Sequence, residues 1–182
     1  RGALVGEVLG LSVPSGSSRT AELARIAATE AVGEAGFGEG FPTGLRVGLV
    51  VGTTTGGMLE HEVRLATMRK TGVPTLDSDR TLSDLRSHPL SHSADALALA
   101  MGGFSRVRTV CSACSSGANA LVVGASWLVS NEVDVVVCGG AESLCRLTFA
   151  GFNALGAVDL PRAVCGLKKL ISVPFREVGY HL

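Results

Sequence analysis

Residues 46–53 (RVGLVVGT) and 134–138 (DVVVC) are runs of Val and Leu with almost no polar interruption, and each runs directly into glycines. A strand with one wetted face alternates apolar and polar residues, whereas a strand that does not alternate has both faces covered. Strands of this kind need helices on both sides of their sheet. Such sheets are mostly parallel, because helical crossovers supply the cover.

The intervening sequence supplies those helices. Residues 20–35 place Leu23, Ile26, Ala27 and Ala31 at helical spacing, with Gly36 as the stop. Residues 58–70 predict a charged amphipathic helix, and residues 91–101 a second one closed by Gly102 and Gly103. Residues 106–110 read as a further strand. Residues 118–130 are apolar nearly all round, which predicts a helix buried on every side. Residues 147–158 read as a helix or turn, and residues 1–18, 38–44 and 72–88 as loops. Strands alternating with helices define an α/β fold.

Composition narrows the function classes. Lys and Arg number 16 and Asp and Glu 16, so there is no basic surplus for binding phosphates or anionic lipid. At 46% hydrophobic and 18% charged residues, the chain has ample core material and is not disordered. The longest apolar stretch, residues 118–129, contains Asn119 and Ser126 and is too short to span a membrane. No basic segment followed by an apolar core opens the chain, so no signal peptide is read. Five cysteines are too few for a disulfide scaffold, which fits a reduced, cytoplasmic setting. Arg1 in place of Met implies processing or a piece of a longer chain.

The chemistry concentrates at Cys114. A strand delivers it, small residues flank it, and a helix follows at once, the layout of a nucleophile elbow. A thiolate is the reactive form of cysteine, and a helix N-terminus favours negative charge. Ala113, Ser115, Ser116 and Gly117 leave room for a carbonyl to approach, and a backbone N–H of the turn is placed to donate to an oxyanion. The competing reading is a small buried hydrophobe. Cys111 and Cys114 together also form a C-x-x-C, the spacing of a redox dithiol or half a metal site. A second ligand pair is missing, so no metal is expected. The 52–57 turn lacks the Lys of a phosphate loop. His61 reads as solvent-exposed, and His88 and His92 as turn and capping residues. Glu142 reads as a carboxylate that fixes neighbouring backbone amides.

Four motifs in order carry a resemblance: VVGTTTGG at residues 50–57, VCSACSSG at 110–117, VCGGAES at 137–143 and LTFAGFNAL at 147–155. Together they resemble the β-ketoacyl-acyl-carrier-protein synthase family over residues 20–158. The resemblance implies a thiolase-like fold, with this chain as the N-terminal half of a layered α-β-α-β-α pseudo-dimer. It implies a decarboxylative Claisen condensation in fatty-acid or polyketide synthesis, with acyl and malonyl thioesters as substrates. The partners implied are an acyl carrier protein and either a second copy or a different subunit; no cofactor is called for. By motif match, Cys114 is the acyl-accepting nucleophile, and Thr55 and Phe152 line or gate the acyl pocket. The sequence also departs from the family. It lacks the His-Gly-Thr-Gly-Thr and Gly-His motifs, whose histidines stabilise the thioester oxygen and assist decarboxylation, and it lacks an opening strand. Residues 1–158 are therefore read as a partial synthase N-terminal domain. Residues 159–182 are read as a divergent tail arising from a frameshift or truncation. Two other readings stay open: a non-catalytic, chain-length-factor-like partner of a complete synthase, and a thiolase-type enzyme acting on coenzyme A esters.

Overall fold

The computed structural model describes residues 8–72 and 86–157. The proposed boundary at residue 158 and the tail after it lie outside the described residues, as does most of the 72–88 loop.

Helix α1 (Arg19–Glu34) begins where the Ser18 side chain accepts the Ala21 N–H. It stops at Ala35, followed by Gly36 at φ +85°, the left-handed exit that glycine adopts freely. Its buried stripe is Ala21, Ala24, Ala28 and Val32. Ile26, one of the residues at helical spacing, is 43% exposed. The helix sits close to its neighbours, and small alanines fit that approach better than the bulkier Ile26.

Strand β1 (Val47–Gly52) is buried along its whole length, as its uninterrupted apolar run predicts. Helix α2 (Met58–Thr71) follows, with no fully buried residue, and then α3 (His92–Met101). Strand β2 (Phe104–Val110), helix α4 (Ser116–Val129), strand β3 (Val135–Gly140) and helix α5 (Arg146–Ala154) complete the order. The three strands pair in parallel in the order β2-β1-β3. The chain steps from β1 out to β2, then back past β1 to β3. Crossovers of one hand running in opposite directions put their helices on opposite faces.

The two faces have separate cores. Leu49 and Val51 meet Ala24 and Ala28 of α1 and Ala94 and Leu97 of α3. Val50 points the other way, onto Ala120 and Trp127 of α4. This alternation along one strand is the reason β1 carries no polar residue.

Two burial expectations are corrected. Helix α4 is not buried on all sides: Ser116, Ala120, Gly124 and Trp127 are covered, whereas Val122 is 65% and Val129 88% exposed. Only the sheet covers it among the described residues. Strand β3 is half-exposed throughout, because it lies at the sheet edge instead of the centre. Among the described residues no helix is long and apolar enough to cross a membrane.

Candidate active site

The C-terminal ends of the three strands converge. The Thr53 N–H donates to the Val110 carbonyl at 3.0 Å, and the Ala141 N–H to the Gly52 carbonyl at 3.1 Å. The turns that follow β1, β2 and β3 therefore lie side by side, where doubly wound sheets place their ligands. Helix α4 starts directly against them. A Cβ on Gly52 would stand on the Ser116 carbonyl and 2.7 Å from the Gly117 nitrogen. One on Gly140 would lie 3.1 Å from the Gly117 Cα. These glycines let the first turn of α4 rest on the sheet.

The β2–α4 turn has the elbow form. Ala113 takes a left-handed φ of +52°, a conformation that costs a residue with a Cβ about 1–3 kcal/mol unless its surroundings hold it. Here they do. The Ala113 carbonyl accepts from the Ser116 N–H at 3.1 Å and the Ser116 hydroxyl at 2.7 Å. The Ser116 Oγ in turn accepts the Ser112 N–H at 2.9 Å. The Ser115 hydroxyl donates to the Ser112 carbonyl at 2.7 Å, and Asn119 Nδ2 donates to the Ser112 Oγ at 2.7 Å. Cys114 rides on this knot as a free, exposed thiol, and the small hydrophobe reading fails on that exposure. The bracing by Ser116 and Asn119 was not foreseen; the only hint was polar residues clustered at the head of an otherwise apolar helix.

Glu142, at the end of β3, reaches into the neighbouring β1–α2 turn. Its Oε1 accepts the Thr54 N–H, and the Thr54 hydroxyl at 2.7 Å. Its Oε2 accepts the Thr55 N–H at 2.9 Å, and also the Thr55 hydroxyl. The carboxylate thus fixes backbone amides, as the sequence implied. Thr55 is buried with its hydroxyl on Glu142, and that oxygen also faces the Ser143 N–H at 3.4 Å. The exposed threonine of the turn is Thr54, whose Oγ1 lies 3.4 Å from the Ala113 carbonyl beside the elbow. Phe152 sits on α5 at 43% exposure. The first turn of that helix is held by a residue far away in sequence: Glu62 accepts the Arg146 N–H at 2.8 Å and the Leu147 N–H.

The other described cysteines have different surroundings. Cys138 is half-buried against Gly124, and burial pushes its thiol pKa up. Cys145 is buried, its sulfur 2.6 Å from the Thr148 hydroxyl. Cys111 is free and exposed like Cys114. His61 is half-buried, not solvent-exposed, because its ring packs edge-on against His88 with centroids 4.0 Å apart. Burial lowers the His92 pKa, while the nearby Asp95 and Glu60 oppose that shift.

Comparison with known proteins agrees with this geometry. No curated protein matches the chain. Among solved structures, the chain is similar to the ishigamide ketosynthase/chain length factor, at 28% identity and a TM-score of 0.69. A β-ketoacyl synthase from Burkholderia phymatum STM815 matches at 22% identity and a TM-score of 0.66. A ketosynthase (ApeO) in complex with its chain length factor (ApeC), from Xenorhabdus doucetiae, matches at 25% identity and 0.59. These alignments cover 80–82% of this chain but only 36–37% of the solved chains. The fold is therefore thiolase-like, in its N-terminal half. The family model for the β-ketoacyl synthase N-terminal domain matches residues 16–164, across both crossovers and the elbow between them, and the chain belongs to the β-ketoacyl synthase family.

Proposed function

We propose that this chain carries the acyl-accepting half of a 3-oxoacyl-acyl-carrier-protein synthase, with Cys114 as the nucleophile. The observation that carries the reading is the exposed Cys114 thiol on a braced elbow at the head of α4. In the proposed step the Cys114 sulfur attacks the carbonyl carbon of an acyl thioester. The new C–S bond forms as the old one breaks, and the departing carrier thiol takes up the proton that Cys114 gave up. The small flanking residues leave access to that sulfur, and backbone N–H groups of the turn stand near it to donate to an oxyanion. Condensation with a malonyl thioester needs further groups to stabilise the thioester oxygen and assist decarboxylation. The two histidine motifs that supply them in the family do not occur in this sequence. The acyl pocket, with Thr55 and Phe152 at its wall, belongs to the same proposal.

The test is incubation with an acyl thioester on a carrier protein, followed by peptide mass mapping. The expected adduct sits on Cys114, is lost in Cys114→Ala, and forms less readily from the coenzyme A ester, which separates the synthase from the thiolase-type reading. Equal labelling of both proteins would remove Cys114 from its role.

A second reading has its own support: the exposed Val122 and Val129 on α4 and the ketosynthase/chain length factor assemblies among similar structures favour a chain that works beside a complete synthase. Restored condensation when a complete synthase is mixed with the Cys114→Ala protein would favour that partner role.

A further inference from the structure

Among the described residues two thiols are exposed, and the proposed acyl transfer uses one of them. Cys111, at the end of β2, stands three residues before Cys114, and both are free and exposed. The other described cysteines, Cys138 and Cys145, are half-buried and buried on different elements. Extended chain over three residues spans about 10 Å, but this chain curls. The Ser115 N–H closes on the Ser112 carbonyl at 3.3 Å and the Ser116 N–H on the Ala113 carbonyl at 3.1 Å. Ala113 adds its left-handed bend between the two cysteines. A disulfide needs Cα atoms roughly 4.4–6.8 Å apart, so this pair can close only across a bend, and Ala113 with its positive φ lies between the two cysteines. Only Ser112 and Ala113 lie between them, and both have small side chains.

We propose that Cys111 is a resolving thiol that guards Cys114 against over-oxidation. A peroxide first oxidises the Cys114 thiolate to the sulfenic acid, and the O–O bond breaks to release hydroxide. The Cys111 sulfur then attacks the Cys114 sulfur, the S–O bond breaks, and water leaves with the Cys111 proton. Across both steps the two thiols lose two electrons and the peroxide gains them. A dithiol reductant reverses the bond by exchange, returning both thiols. Without Cys111 the sulfenic acid proceeds to the sulfinic and sulfonic acids, which a dithiol does not restore. The device rests on a reactive Cys114, as does the proposed function, but it is read through sulfur oxidation state and not through acyl transfer.

The experiment treats the full chain and its Cys111→Ser variant with hydrogen peroxide, then with dithiothreitol, and counts alkylatable Cys114 by peptide mass mapping. Acyl acceptance by the never-oxidised proteins is measured in parallel and is expected to be equal, so a failure of the acyl-transfer reading shows in that arm alone. The expected result is a Cys111–Cys114 disulfide in the parent chain, with full recovery of Cys114 on reduction. The variant is expected to lose Cys114 permanently to higher oxides. Three results would overturn the proposal. The disulfide could map to Cys138, Cys145 or Cys165. Parent and variant could lose Cys114 at the same rate. Both thiols could stay alkylatable after peroxide.

Discussion

Gly52→Ala tests the contact on which the site is built. An alanine Cβ at this position would stand on the Ser116 carbonyl and 2.7 Å from the Gly117 nitrogen, whereas ordinary contact begins at 3.4 Å. The obstacle is backbone, so no side-chain rotation relieves it. The first turn of α4 would have to retreat by roughly 1 Å, an overpacking that costs about 3 kcal/mol. In a chain of this size that lowers the Tm by roughly 6–12 °C. The retreat also pulls Ser116 away from the Ala113 carbonyl and so loosens the turn that presents Cys114. Thermal unfolding and the rate of Cys114 alkylation are the assays, with Gly33→Ala as control. Gly33 lies in α1 with open space around its Cβ position, so the same exchange there stabilises the helix by up to about 1 kcal/mol. An unchanged Tm and alkylation rate for Gly52→Ala would refute the close approach of α4 to the strand ends.

Two other predictions follow from polar clasps. The Arg46 side chain and N–H beside Asp134 hold its carboxyl at about 2, against an ordinary 3.8, so the clasp stabilises the fold above 3.8 and is lost as pH falls toward 2. The urea midpoint of Asp134→Asn should therefore lack this acid-dependent fall, and parallel pH curves for the two proteins would contradict it. Glu142→Ala leaves the Thr54 and Thr55 donors to water and should cost about 1–3 kcal/mol in denaturant unfolding; Glu142→Gln, which keeps one acceptor oxygen, should lose less. A change within about 0.5 kcal/mol for Glu142→Ala would show that the clasp is not stabilising.

The parts of the molecule that were legible in the sequence are those whose cause is local. Gly36, Gly72 and Gly102 each end a helix with positive φ, and the stops at Gly36 and Gly102 were read from a periodic run meeting a glycine. The all-apolar run of β1 is a direct record of having two covers. The elbow that carries Cys114 was legible because strand, small-residue turn and helix are consecutive. Contacts between distant segments left no such trace. Glu62 caps α5 from 84 residues away, and nothing near Glu62 marks it as a cap. The three threonines after β1 look equivalent in sequence. Glu142 arrives from β3 and engages both Thr54 and Thr55, and only the packing of the turn buries Thr55 while Thr54 stays exposed beside the elbow.

The burial errors have one physical origin. The apolar pattern of a segment records every surface it was selected to meet. The two edges of the sheet show this differently. Strand β2 carries Arg106 and Arg108 over the ring of Trp127, 4.8 and 5.8 Å from its centroid, and Arg106 also pairs with Glu132. Charges of that kind keep an edge in water and discourage another strand from pairing there. Strand β3, a run of Val, Cys and Gly, is half-exposed with no charged side chain along it. Helix α4 repeats the contrast within one element. Trp127 and Ala120 pack on the sheet, whereas Val122 and Val129 lie open on the remaining surface. Full burial of a valine is worth about 1.5–3 kcal/mol, so two left in water are a substantial stabilisation unused. The sequence of α4 is written for two covering layers and the described residues provide one. This fits a chain that spans little more than a third of the ketosynthases it resembles.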